Sequence, residues 1–148
     1  MIDAGHPTDV TTADAAPPSD DEVVRELHRR FQAGEPDSIA ALLHPDFAIE
    51  QPASFPHGGR HDGFDGMRAM GATFAEHWDR TISPPRIVAS GEVVVQVTTQ
   101  TWTARLTGRS ATVDVVELIS IVNGQVAEIR VFQQDTHALL ATLDPSDP

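Results

Sequence analysis

Apolar residues recur at helical spacing in the first half of the chain and at every second position in the last third. Val24, Leu27 and Phe31 share one helical face. Ser19 and Glu22 stand three apart just ahead of it, the spacing of a capping box. Gly34 is placed to end this helix and Pro36 to open the next. Ile39, Leu42 and Leu43 form the next apolar face, which Pro45 stops. FAIE (47–50) predicts a short strand, and PASFPHGGRHDG (52–63) a loop rich in Pro, Gly and His. Phe64, Met67, Met70, Gly71, Phe74 and Trp78 predict a third helix.

From Arg86 onward the pattern is that of strands. IVA (87–89) precedes a Ser90-Gly91 turn, EVVVQVTTQTWTA (92–104) is long and β-rich, and LTGRS makes a second turn. ATVDVVELISIV (111–122) and QVAEIRVFQ (125–133) flank Asn123-Gly124, the strongest hairpin signal in the chain. Asp135 stands as N-cap of a closing helix, THALLATL. Three helices, an early strand, a meander of long antiparallel strands and a last helix predict an α+β domain over residues 21–143. Residues 1–20, with the Pro-rich TDVTTADAAPPSD, predict a disordered acidic tail, and 144–148 a second short one.

Composition narrows the chemistry. The 148 residues carry a net charge of −12, which disfavours nucleic acid and anionic membrane surfaces as partners, although much of the excess acid lies in the tails. There is no cysteine, no tyrosine and no lysine; all ten basic residues are arginine. A thiol nucleophile, a phenol acid, a Schiff base and a phosphate-loop lysine are therefore excluded. The start, MIDAGHPTDV, lacks the basic and apolar regions of a secretory signal, so a cytoplasmic location is expected. No G-x-S-x-G elbow and no glycine-rich nucleotide fingerprint occurs.

Three segments, HRRFQAGEPDSIAALLHPDF, PHGGRHDGFDGMRAM and ELISIVNGQVAEIRVFQQDTHALLATL, occur in the order and at the separations that resemble the nuclear-transport-factor-2-like superfamily, in its SnoaL-like polyketide cyclase and ketosteroid-isomerase-like branch. The resemblance covers about residues 22–143. It implies a cone: a curved antiparallel sheet wrapped around three N-terminal helices, with a short C-terminal helix and a pocket at the open end. It also implies that the base carboxylate of ketosteroid isomerase falls at Gln51. The strand aspartate that follows an arginine in SnoaL and limonene epoxide hydrolase is replaced here, since Arg130 is followed by Val131.

One candidate stands out from the alternation itself. Val113, Val115, Glu117, Ile119 and Ile121 share one face of the strand 111–122, so Glu117 interrupts an apolar face. A carboxyl carried inside with those neighbours is desolvated and its pKa rises toward the range useful for acid–base work. His57, in the FPHGG loop, is the second candidate for proton transfer. By resemblance Glu117 and Gln51 face the pocket, with Gln51 bonding a ligand. His61, Trp102, Phe31, Phe74, Ile119 and Val131 complete the expected substrate-binding set, and a bulge in the long strand leaves the facing of Trp102 open. Asp135 reads as an N-cap rather than a catalytic acid. His57 and His61 lack a third ligand at a familiar spacing, so no metal is expected.

The expected function is thus cofactor-free acid–base chemistry on a small, mostly apolar molecule: cyclisation, isomerisation, dehydration or epoxide opening. The alternative is a non-catalytic module of the same fold that binds a small ligand or dimerises. Val116, Leu118 and Phe132, on the outer face of the sheet, predict a homodimer through that face.

Overall fold

The computed structural model describes residues 16–146, so the tail expected over 1–20 and the last two residues lie largely outside them. Helix α1 (Asp20–Gln32) begins inside the expected tail. The Ser19 backbone N–H donates to Glu22 Oε1 at 3.3 Å, the return arm of the capping box. Gly34 takes φ +70° just past the C-cap, a backbone state that side chains with a Cβ disfavour. The expected second helix is only one α turn, α2 (Pro36–Ile39), followed by a 3-10 turn (Ala40–Leu42). Pro36 at its start fixes φ, and the chain turns into strand β1 (Leu43–Gln51) before Pro45 is reached.

The loop expected over 52–63 closes with a strand, β2 (Gly59–Asp62), that pairs with the end of β1. Helix α3 (Gly63–His77) stops one residue before Trp78. Trp78 stands four residues after Phe74, a helical interval, yet it opens strand β3 (Trp78–Ile82), which pairs antiparallel with β5 (Val93–Ala104). Strand β4 (Arg86–Ser90) also pairs with β5. The hairpin of β6 (Ser110–Val122) and β7 (Gln125–Gln133) turns at Asn123 and Gly124, both at positive φ as a type I′ turn requires. Helix α4 (Thr136–Ala141) closes the fold, with the Ala138 N–H donating to Asp135 Oδ1 at 2.9 Å.

The seven strands form one strongly curled half-barrel sheet in the order β2-β1-β7-β6-β5-β3, with β4 off this path on β5. The sheet is mixed rather than antiparallel: β1 lies parallel to β7, an arrangement that the long crossover between them permits. Bulges between Leu43 and Ala48 and between Ser120 and Ile121 break the register and bend the sheet. Its concave side packs on α1 and α3 through Val23, Val24, Phe47, Phe74, Val94, Val115, Ile119 and Ile129. At one end Trp78 Nε1 donates to Thr142 Oγ1 at 2.8 Å, and Arg109 donates to the Ala141 and Asp144 carbonyls, so α4 is tied across that end. No helix among the described residues is long and apolar enough to cross a membrane.

Candidate active site

The helices do not fill the concave side. They leave a cavity of about 610 Å³ between α1, α3 and the inner faces of β1, β5, β6 and β7. That volume suits a molecule of two or three fused rings or its equivalent. Its helical wall is apolar: Leu27, Phe31, Phe64, Met67, Met70 and Phe74. Phe31, expected in the substrate-binding set, lines the cavity and is 48% exposed.

The sheet wall is more polar. On β5 every second residue points inward, which brings Gln96, Thr98, Gln100 and Trp102 into the lining. Trp102 is buried, and its Nε1 donates to Gln100 Oε1 at 2.9 Å while Gln100 Nε2 donates to Thr98 Oγ1 at 3.0 Å. This chain of bonds satisfies most of the buried polar groups. Two amide oxygens in the lining, Gln96 Oε1 and Gln133 Oε1, are buried with no donor among the described residues.

Glu117 stands directly across from Gln96 in the β5–β6 register. Gln96 Nε2 donates to Glu117 Oε1 at 2.7 Å, so the carboxyl is held by the neighbouring strand and not by His57 or Gln51. Val115 and Ile119 flank it on the same inner face and are buried. Its residual accessible surface opens onto the cavity. Burial pushes its pKa above the ordinary carboxylate value, against the opposing pull of the Gln96 bond and the Arg80 charge.

His57 is 3% exposed. Its ring stacks on Phe55 at 5.0 Å and meets Phe74, Trp78 and Trp102 edge-on or tilted at 5.3–6.0 Å. Gly58 makes this placement possible, since a Cβ there would collide with the Pro52 and Ala53 backbone as the loop folds back. Nδ1 is buried without a partner. Desolvation, then the charge of Arg80 and those of His61 and His77, lowers the His57 pKa to about 4. Near pH 7 the ring is therefore a neutral imidazole and a weak base.

Gln51 and Val131 line the cavity, and Glu50 points away to an ion pair with Arg130 at 3.6 Å. His61 does not reach the cavity. The antiparallel β1–β2 pairing turns it aside, and its Nε2 meets the His57 carbonyl oxygen at 2.9 Å, which braces the loop. Among the described residues no cluster of His, Asp and Glu side chains is arranged to hold a metal ion.

The strongest feature missing from the sequence reading is Arg80. It extends from β3 into the cavity lining, with its guanidinium 4.7 Å from the Phe74 ring centre and 5.4 Å from that of Phe31. Arg80 lines the cavity but is an exposed residue. Burial lowers its pKa and the Glu117 carboxyl opposes that shift. Both Glu117 and His57 feel this one cation.

The comparisons agree with this architecture. The family model for the SnoaL-like domain matches residues 24–129. The chain belongs to the SnoaL-like family. Among solved structures, an NTF2-like protein from Burkholderia xenovorans LB400 is 26% identical, with TM-score 0.74 over 82% of this chain and 93% of its own. TerC, co-crystallised with polyporic acid, is 21% identical with TM-score 0.73 over 82% and 95% of the two chains. A protein from Xanthomonas campestris pv. campestris, named as a candidate polyketide cyclase, is 14% identical with TM-score 0.68 over 82% and 94%. No curated protein matches the sequence. As a SnoaL-like domain the chain shares a fold that carries several chemistries, so its own side chains have to specify which one.

Proposed function

We propose that this SnoaL-like protein is a cofactor-free acid–base enzyme for a small, mostly apolar molecule, of the cyclase, isomerase, dehydratase or epoxide-opening type. The observation that carries the reading is Glu117: a carboxyl on the apolar face of β6, in the wall of a 610 Å³ cavity, with its pKa raised by burial. In its acid form it donates a proton to a carbonyl or epoxide oxygen, or, once ionised, removes one α to a carbonyl. The Gln96 amide bond occupies Oε1 and leaves Oε2 to carry the proton. When the proton leaves, Arg80 offsets part of the charge that appears. His57 serves as a neutral hydrogen-bond donor, and Gln51 and Trp102 orient the substrate. The likeness to TerC, crystallised with polyporic acid, and to a candidate cyclase supports an organic ligand of this kind.

A second reading, a binding module without turnover, is favoured by Val131, which stands where the family's strand acid would be. One experiment separates the two. A panel of bicyclic aryl ketones and epoxides is incubated with the protein in D2O and followed by proton NMR for exchange or ring opening. Glu117→Gln is expected to lower the rate by about 100-fold or more while leaving ligand affinity unchanged. Equal rates in the wild type and the variant reject Glu117 as the proton-transfer group.

A further inference from the structure

Gln96 and Glu117 stand opposite one another in the β5–β6 register, and both line the cavity. One bond joins them: Gln96 Nε2 donates to Glu117 Oε1 at 2.7 Å. The other half of the same amide, Gln96 Oε1, is sealed from solvent and has no donor among the described residues. A buried carbonyl oxygen without a donor is costly and uncommon in a native fold. Water does not reach this one, so its donor has to come from the side chains around it.

Few of those side chains carry a polar hydrogen. Val94 and Thr98 flank Gln96 on its face of β5, Val115 and Ile119 flank Glu117 on β6, and Ile87 pairs with Gln96 from β4. Four of the five are hydrocarbon, and the Thr98 hydroxyl accepts from Gln100 Nε2 but makes no bond to Gln96. The remaining neighbour is Glu117 itself. An ionised carboxylate only accepts, whereas a protonated one carries an O–H donor. A carboxylic acid and a primary amide also have matching edges: the amide N–H meets the acid carbonyl oxygen while the acid O–H meets the amide oxygen. The first of these two bonds is the one at 2.7 Å.

We infer that Glu117 and Gln96 form a closed acid–amide pair, in which the proton on Glu117 Oε2 is donated to Gln96 Oε1 and Gln96 is the positioning residue of the acid. Both polar atoms of the amide are then satisfied, and two bonds fix the plane of the carboxyl. Ionisation removes one of them and sets the Gln96 oxygen against an anion with no hydrogen between. The Gln96 N–H by itself pulls the Glu117 pKa down, against desolvation, and the returning O–H bond offsets that pull. A substrate oxygen takes the proton in competition with Gln96 Oε1; once it has gone, the Gln96 N–H still holds the anion. The inference rests on Glu117 being the protonated acid of the proposed function, and adds the residue that aims its proton.

The test is infrared spectroscopy of the full-length protein in D2O from pH 5 to pH 9. Subtracting the spectrum of Glu117→Gln isolates the carbonyl stretch of protonated Glu117. Each hydrogen bond to an acid lowers that stretch, so the wild-type band is expected at the low end of the carboxylic-acid range. Gln96→Met keeps the length of the side chain without its amide. Measured against Gln96→Met/Glu117→Gln, it should keep the band and move it to higher wavenumber. The exchange Gln96→Glu/Glu117→Gln runs the same pair in the opposite direction and should return the band to its wild-type position, a rescue that a merely structural glutamine does not give. Circular dichroism verifies folding, and the exchange decides the matter if Gln96→Met does not fold. A band that stays in place in Gln96→Met, or an exchange variant whose band lies at the higher, unpaired position, overturns the pair and leaves Glu117 as the acid. Absence of a protonated Glu117 band throughout the range overturns the inference together with the acid–base reading on which it rests.

Discussion

Replacing Glu117 with glutamine should stabilise the protein progressively as pH rises, and the sign follows from the site. In the unfolded chain Glu117 loses its proton near the ordinary Glu value of 4.5; in the fold it holds the proton to higher pH because burial disfavours the anion. Below that ordinary value both states are protonated, and the variant should match wild type within about 0.5 kcal/mol. The match is expected because the oxygen of the substituted side-chain amide can still accept the Gln96 amide proton, now bonded to Glu117 at 2.7 Å. Between the unfolded and folded pKa values the folded state binds the extra proton, so wild type loses about 1.4 kcal/mol per pH unit. For a domain of this size that is about 4 °C in Tm per pH unit. The variant has no such loss. The assay is thermal unfolding from pH 4 to pH 9, read through Trp78 and Trp102, both buried. His57 titrates alike in both proteins, so its contribution cancels in the difference. A difference that stays flat across the range, or one in which wild type gains on the variant as pH rises, would refute the idea that Glu117 is held protonated.

The remaining predictions bear on other parts of the fold. His57 has a lowered pKa, so its stabilising effect is complete above the ordinary value of 6.5 and is lost as pH falls toward about 4; His57→Phe should remove up to about 2 kcal/mol of that acid sensitivity, after allowance for screening by water in the cavity, in denaturant titrations at pH 7 and pH 4.5. Ser19→Ala should cost about 1 kcal/mol by weakening the start of α1, measured as a shift in urea midpoint at unchanged slope. We propose a homodimer through the outer sheet face, where Phe132 is 43% exposed beside Val116 and Leu118; light scattering at micromolar concentration should give twice the 16.0 kDa chain mass, and a single monomer peak rejects it.

Much of the fold could be read from local pattern because the decisive signals were local. Asn123-Gly124, Asp135 and Gly34 each demand a particular backbone state, and each adopts it. The two missed strands lacked such signals. GRHD has no apolar residue to mark a sheet, and it is a strand only because β1 offers it an edge. In WDRTI, Trp78 continues the spacing of Phe74, so the helical pattern runs on past the helix end; pairing with β5 overrides it. With β3 unrecognised, Arg80 fell on what looked like the end of a helix, and nothing in its neighbourhood suggested a cavity. Glu117 was different, because Val115 and Ile119 fixed its facing whatever the rest of the chain did.

Strand β5 shows why the remaining polar lining was hidden, and the reason is itself informative. One face reads Val93, Val95 and Val97, then Thr99 and Thr101; the other reads Val94, Gln96, Thr98, Gln100 and Trp102. Hydrophobicity alone would bury the valines and expose the glutamines. The structure does the reverse through most of the strand: Gln96, Thr98 and Gln100 are buried and Val93, Val95 and Val97 remain partly accessible. Pairing with β6 sets this facing, since Gln96 must stand opposite Glu117 once Val115 and Ile119 turn inward. A strand whose inner face is more polar than its outer face is not optimised for a dry core. The buried amides raise the cost of folding unless they bond one another or a ligand, and among the described residues the Gln96 oxygen has no donor. The inverted pattern therefore fits the proposed ligand inside the curl, with Glu117 in the wall that faces it.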